Sequence, residues 1–311
     1  MNQRAIITGG AGFIGSHIVD RLVDMDYEVL VIDNLSTGKL ENIHKSAKLA
    51  QLDICEPEIQ DVIVSFEPDL VIHCAAQSTV THSVVDPGFD ARVNIIGGIN
   101  VFDAVNKSVC KQVVYITTGG ALYGKPEYLP CDENHPISPI SPYGLSKWTL
   151  ERYQQMILRN SMQIKTLRLS NVYGLRQDSE GEAGVIAIFT QRMMNLQTVN
   201  IYGNGNQTRD FVYVDDVVDS FQLAVNFKDS ITVNVGSGIS TSINELFELV
   251  SKVTGYVEPA EYLEPRPNEI KHMNLDCKRA KNYLKWVPKT NLREGIKKTA
   301  AFLKKETLID I

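Results

Sequence analysis

Residues 5 to 22 read AIITGGAGFIGSHIVDRL, a short β-branched stretch that passes through four glycines into an amphipathic helical pattern. Gly9, Gly12 and Gly15 are spaced GxxGxxG where the strand gives way to the helix. Glycines there let a backbone turn approach a pyrophosphate, whose charge meets free N–H groups and the positive end of the helix dipole. A purely structural turn is the alternative reading, since such turns also occur without a ligand. Asp33 favours the first reading. It closes the next apolar run, about 20 residues on, where a carboxylate accepts both ribose hydroxyls of NAD and repels a 2′-phosphate. As a turn or cap residue in DNLSTG it would have no such role.

Apolar, β-branched runs recur at residues 4 to 8, 28 to 32, 70 to 74, 112 to 117 and 164 to 169, separated by segments of helical period. This alternation is the signature of βαβ units stacked into a buried parallel sheet. Beyond about residue 175 it loosens, and IYGNGNQTRDFVYVDDVV reads as turns and short strand. A capped helix is expected over STSINELFELVSKVTG, with Ser242 as N-cap and Gly255 as stop. The expected fold class is α/β: a Rossmann-type doubly wound parallel sheet with a smaller mixed α/β C-terminal lobe. Residues 1–170 are assigned to the NAD-binding domain, rejoined at about 212–238, and residues 171–211 and 239–311 to the second lobe.

A chain of 311 residues, 43% hydrophobic and 22% charged, is long enough for two lobes. Its net charge of −6 argues against nucleic acid as a partner. The cysteines (Cys55, Cys74, Cys110, Cys131 and Cys277) are odd in number and form no CxxC pair, which fits a reducing, cytoplasmic setting. The histidines show no metal-ligand spacing, so no catalytic metal is expected. The apolar stretch in MNQRAIITGG is too short for a signal h-region, and no run approaches the ~20 residues of a membrane span.

In SPYGLSKWTLERY, Tyr143 and Lys147 lie four apart on one face of an expected helix, with Pro142 in its first turn. A phenol with a pKa near ~10 is a poor base at neutral pH, but a cation beside it is expected to favour the phenolate. Tyr143 would then remove a proton from a hydroxyl as hydride leaves the same carbon. The alternative is an exposed lysine and a packed tyrosine.

The motifs TGGAGFIG, DNLSTG, HCAAQS, YITTGGALYG, SPYGLSK, LRLSNVYG and TRDFVYVDDV follow in this order. Together they resemble an extended short-chain dehydrogenase/reductase of the nucleotide-sugar type, nearest to the UDP-glucose (UDP-galactose) 4-epimerase family, over nearly the whole chain. The resemblance implies that Tyr143 takes the proton of the 4-hydroxyl while NAD accepts hydride from C4. The transient 4-keto sugar then rotates and receives the hydride on its other face. It implies cofactor contacts from the glycine turn with Phe13 and Ile14, from Asp33, Asn34, Ser36, Thr37 and Gly38, and from Asp53 and Ile54 at the adenine. Ala75, Ala76, Asn94, Thr117, Tyr143 and Lys147 complete that set. For a UDP-sugar, Asn171, Arg209 and Arg266 match positions near the diphosphate, Asn200 and Tyr202 near the uridine, and Glu269 near the ribose. Guanidinium groups suit phosphate oxygens, although each arginine also reads as a surface ion-pair partner. A homodimer is also implied, through the helix at 94 to 107 and the helix carrying Tyr143. Leu150, Tyr153 and Ile157 would suit that packing and would equally suit the core of one chain.

One position departs from the family pattern. Relatives place a Ser or Thr five residues before the glycine of YG, and here that residue is Gly119. In a regular strand Thr117 shares the face of Gly119, whereas a backbone turn at the glycine pair would bring in Thr118. Thr118 is the expected third catalytic residue, against a reading of both threonines as ordinary β-formers. Gly119, Gly120 and Ala121 also lack the Asp-Glu pair of related 4,6-dehydratases and the Glu of related decarboxylases. What remains is NAD-dependent epimerisation at C4 of a UDP-hexose, either UDP-glucose/UDP-galactose or the N-acetyl forms. The alternatives are a UDP-uronic acid 4-epimerase, another nucleotide-sugar oxidoreductase, and a non-catalytic NAD(P)-binding regulator. Met273 falls where relatives bound the sugar pocket, and its intermediate bulk does not decide the sugar.

Overall fold

The computed structural model describes residues 3–179, 184–266 and 269–309. The first part of the chain runs β1 (Arg4–Thr8), α1 (Phe13–Asp24), β2 (Glu28–Asp33), β3 (Lys48–Gln51), α2 (Ile59–Phe66), β4 (Leu70–His73), α3 (Val80–Val85) and α4 (Pro87–Ala91). A π-helical turn, Arg92–Gly97, leads into α5 (Gly98–Lys107), β5 (Gln112–Thr118), α6 (Pro142–Ile157) and β6 (Gln163–Leu169). Then come β7 (Asn171–Tyr173), α7 (Val185–Met194), β8 (Asn200–Tyr202), β9 (Thr208–Tyr213), α8 (Val214–Asn226), β10 (Ile231–Val235), β11 (Ser240–Ser242), α9 (Ile243–Thr254), β12 (Glu261–Leu263) and α10 (Leu292–Ile309).

The main sheet has seven strands in the order β10-β6-β5-β4-β1-β2-β3, all parallel. Its strands are near-continuous apolar runs because helices cover both faces. Successive residues point to opposite sides. Ile7 and Ile72 therefore pack with Ile18, Leu22 and Phe221 of α1 and α8, while Ile6 and Val71 pack with Ile63, Phe102 and Leu150 of α2, α5 and α6. Strand β3 was not visible in the sequence. KLAQ is only half-buried at the sheet edge, where Lys48 pairs with Glu28 at 2.7 Å, so it lacks the apolar pattern of the buried strands.

The strands β7, β9 and β11 form a separate three-stranded sheet, and β8 pairs with β12. Tyr173, Phe189, Tyr213 and Leu246 build a core there. Helix α9 starts and stops where its sequence indicated. The Ser242 hydroxyl accepts the Glu245 N–H at 3.1 Å, the Glu245 carboxylate accepts the Ser242 N–H at 2.8 Å, and Gly255 ends the helix at φ +79°. The C-terminal segment returns to the main core, where buried Trp286 donates its indole N–H to Asp216 O at 2.8 Å.

Helix α6 presents Tyr143 and Lys147. Ser141 caps it by accepting the Gly144 N–H at 3.1 Å, and Pro142 supplies the first turn. Leu150 is fully buried against Gly98, whose missing side chain makes room: an added Cβ would lie 2.2 Å from Leu150 Cδ2. Ile157 packs on the same core. Of the three residues considered for a subunit contact, Leu150 and Ile157 thus face inward and only Tyr153 is exposed. Leu150→Ala is expected to cost about 2–5 kcal/mol, the price of a core cavity. Urea denaturation would read this as a lowered midpoint at every protein concentration tested.

Candidate active site

Because the strands are parallel, β1, β2, β4 and β5 all end on one edge of the sheet, at Thr8, Asp33, His73 and Thr118. Chain order switches between β1 and β4, which opens a crevice at that edge. In the β1–α1 turn Gly9 adopts φ +73°, and Cβ atoms added to Gly9 and Gly15 would lie 2.6 Å from Ala75 N and 2.1 Å from Gly9 O. Above Gly12 the nearest atom to such a Cβ is Gly9 O at 3.3 Å. Phe13 and Ile14 open α1, whose first turn carries no acidic residue, so its N–H groups remain available to an anion.

Asp33 is 8% exposed and fixes this turn: its Oδ2 accepts the Ala11 N–H and its Oδ1 the Leu35 N–H, each at 2.9 Å. Each carboxylate oxygen keeps further acceptor capacity. Asn34 donates to Asp53 Oδ2 at 2.8 Å and accepts the Ser36 N–H at 3.0 Å. Ser36 and Thr37 are exposed, and Gly38 packs so close that a Cβ would lie 2.9 Å from Asp33 Oδ1. Ile54 is buried beyond Asp53, and Ala75 and Ala76 follow β4 half-buried, with the Ala75 N–H donated to Thr8 Oγ1 at 3.3 Å. A glycine turn whose own backbone would collide with a Cβ on Gly9 or Gly15, a helix N-terminus and a carboxylate with spare acceptors fit a dinucleotide with free ribose hydroxyls.

At the adjacent strand end Lys147 is 3% exposed; it donates to Ile116 O at 3.1 Å and lies 4.7 Å from the centre of the Tyr115 ring. Burial brings its ammonium down to about 8, and the Asp90 carboxylate opposes that shift. Burial and then Asp90 push the Tyr143 phenol up to about 12, and the Thr118 hydroxyl partly offsets them. The sequence led us to expect a lysine that lowers the phenol, and in the protein alone this is not so. Both groups have left water, which disfavours the charged form of each.

The structure distinguishes the two threonines. Thr118 accepts the Ala121 N–H at 3.1 Å where the chain turns out of β5, and its hydroxyl reaches Tyr143. Thr117 is buried on the Tyr115 side of the strand. Gly119 is glycine for a reason the sequence did not contain. Fully buried Leu275 occupies the space beside it, 2.7 Å from where a Cβ would stand.

Asn94 lies in the π-helical turn and is 1% exposed. Its amide nitrogen reaches Gln77 O at 2.9 Å, Asp90 Oδ1 at 3.0 Å and Ser146 Oγ at 3.2 Å, and its Oδ1 accepts the Gln77 N–H at 2.9 Å. Gln77, Asp90 and Ser146 were missed from the sequence. The only available signal was the i, i+4 spacing of Asp90 and Asn94 on one helical face.

The residues that the resemblance assigns to the substrate lie on β7, β8 and β9 and in the stretch after β12. Asn171 starts β7, exposed, close to Gly120. Arg209 donates to Thr208 O and to Glu269 Oε1, both at 2.9 Å, and the Arg266 guanidinium stacks on the Tyr202 ring at 4.3 Å. Asn200 Oδ1 is buried without a hydrogen-bond partner among the described residues. Met273 is 2% exposed and packs with Cys131, Tyr123 and Leu275. Among the described residues no His/Cys/Asp/Glu group is arranged to hold a metal ion, and no helix is long and apolar enough to cross a membrane.

Residues 5–236 match the model of the NAD dependent epimerase/dehydratase family, and the chain belongs to that family. A UDP-glucose 4-epimerase from Mycolicibacterium smegmatis is 38% identical over 98% of this chain and 100% of its own length. The crystal structure of Thermotoga maritima UDP-glucose 4-epimerase with UDP-glucose superposes with a TM-score of 0.96 at 42% identity, covering 98% of this chain and 100% of that one. The Thermus thermophilus UDP-glucose 4-epimerase complex with NAD gives a TM-score of 0.91 at 37% identity, covering 97% of this chain and 99% of that one.

Gly119→Ser is expected to cost about 1–3 kcal/mol by crowding Leu275. In the double variant with Leu275→Ala the total loss should fall measurably short of the sum of the two single losses. Thermal unfolding of the two single variants and the double would read the coupling, and additive losses would refute the steric account.

Proposed function

We propose that this chain is an NAD-dependent 4-epimerase of a UDP-hexose, with Tyr143, Lys147 and Thr118 as its catalytic residues. The observation that carries this reading is the meeting of Tyr143, Thr118 and buried Lys147 beside a glycine cradle, with no carboxylate at Gly119, Gly120 or Ala121. When bound, NAD supplies a hydride acceptor that returns what it takes. Tyr143 removes the proton of the 4-hydroxyl and gives one back to the 4-keto sugar. The Thr118 hydroxyl, held by Ala121 N–H, orients the exchanging oxygen. Lys147 keeps a positive charge behind the phenol, fixed by Ile116 O. Asp33, with Asn34, Ser36, Thr37 and Gly38, holds the adenosine ribose side of the cofactor, and Asp53 and Ile54 lie at its adenine. The two-lobe division at residues 1–170 and 212–238 against 171–211 and 239–311 is part of the proposal, and the pairing of β10 with β6 supports it.

Arg209, Arg266 and Asn171 are assigned to the diphosphate, and Asn200, Tyr202 and Glu269 to the uridine. Arg209 uses only part of its fork of donors on Thr208 and Glu269, and Asn200 Oδ1, unpartnered among the described residues, is an acceptor for a base N–H. A homodimer also belongs to this reading. Ile96, Leu145, Tyr153 and Met156 form an exposed apolar set on the π-helical turn and α6. Light scattering should give twice the chain mass, and Met156→Glu should shift it toward the monomer.

The deciding experiment incubates the purified protein and NAD separately with UDP-glucose, UDP-N-acetylglucosamine and UDP-glucuronic acid. Conversion of one to its C4 epimer is expected, and Tyr143→Phe should lower the rate about 10²–10⁴-fold. No conversion of any of the three, with NAD bound, would refute the reading for these substrates.

A further inference from the structure

Polar links bind α6 to the sheet beneath it at successive turns. Tyr115 of β5 donates to Lys147 O at 3.3 Å, Arg168 of β6 to the Glu151 carboxylate, and Thr166 of β6 to Gln154 Oε1 at 3.1 Å. Tyr115, Glu151, Gln154, Thr166 and Arg168 are all buried, where apolar side chains would need no partners. Arg168 reaches furthest. Its Nε and Nη2 donate to the two oxygens of Glu151, and its Nη1 donates to Tyr123 Oη at 3.1 Å. Tyr123 in turn donates to Asn234 Oδ1 of β10 at 2.7 Å.

These partners lie on the two segments that meet at the site. Glu151 shares a face of α6 with Tyr143 and Lys147, at i, i+4 and i+8 spacing. Tyr123 lies just past the turn at Gly119–Ala121, in which the Ala121 N–H holds the Thr118 hydroxyl at 3.1 Å. Turn and helix also touch directly: a Cβ added to Gly144, next to Tyr143, would lie 2.5 Å from Ala121 O. A buried ion pair adds little stability over apolar residues of like volume, but a guanidinium fork fixes a carboxylate in one orientation.

We propose that Arg168, through Glu151 and Tyr123, is a positioning residue that sets the helix carrying Tyr143 against the turn carrying Thr118. The inference deepens the epimerase reading and rests on it for its catalytic meaning. Rotation or sliding of α6 on the sheet would carry Tyr143 away from the Thr118 hydroxyl. The fork resists both, because each carboxylate oxygen has its own N–H.

The test replaces the pair by apolar residues of similar size, Arg168→Met with Glu151→Leu, in the full-length protein with NAD and a UDP-sugar that the parent converts. We expect a folded variant with little change in thermal midpoint, and kcat lower by about 10–100-fold with KM and NAD retention nearly unchanged. A folded variant with kcat within about twofold of the parent would overturn the proposal, as would a change confined to KM. If the double variant does not fold, Arg168→Lys keeps the buried charge but not the fork, and full kcat there would overturn the proposal equally. A second readout needs no turnover. The Tyr143 ring signal, followed by NMR after 13C-tyrosine labelling and identified by its loss in Tyr143→Phe, should move toward its position in Thr118→Val. An unmoved signal in the folded variant would overturn the positioning role. A moved signal in a protein whose parent epimerises nothing would sink the epimerase reading and leave the positioning role standing.

Discussion

Parallel pairing of β1 with β2 on one side and β4 on the other is the constraint from which the rest of the site follows. Thr8 lies opposite Ile32 and His73 in the ladder, so the chain leaves all three strands at one level. The glycine turn, Asp33 and Ala75 meet there as backbone neighbours, close enough that a single Cβ on Gly9 or Gly15 would collide. β5 extends the same edge, with Thr118 opposite Leu169 of β6. A register shift of one residue would turn these side chains to the other face and separate them.

On this frame the site is assembled from long-range contacts of two kinds. Short polar links fix orientation, such as Asp33 to Ala11 N–H and Thr118 to Ala121 N–H. Burial sets charge, and it acts oppositely on the two groups of the YxxxK pair, raising the phenol and lowering the ammonium. In a water-poor pocket each group is pushed toward its neutral form unless a fixed group nearby favours the charged one. Arg209, which burial also acts on, meets a similar problem by direct pairing with Glu269.

Met273 and Leu275 come from a C-terminal stretch far along the chain, yet both are buried beside Tyr123 and Cys131 from the loop after β5. Through this contact the C-terminal stretch constrains the end of β5. Leu275 fills the volume that a side chain at position 119 would need, and the hydroxyl next to Tyr143 then comes from the residue before.

The sequence by itself determined the strands whose interiors are apolar, the glycine turn, the cap Ser242, the stop at Gly255, Pro142 in the first turn of α6, and the common helix face of Tyr143 and Lys147. Each is a local matter of side-chain period, missing Cβ atoms or a single hydrogen bond within a few residues. The half-buried edge strand β3 escaped because its pattern is polar, and Leu150 stayed open between a subunit contact and the core of one chain because the gap left by Gly98 lies on another helix. The network of Gln77, Asp90, Asn94 and Ser146, the displacement of a hydroxyl by Leu275, and the direction of both pKa shifts were decided only by the tertiary structure. Desolvation and steric exclusion depend on which distant residues come to share a volume, and that information is not contained in any short stretch of the chain.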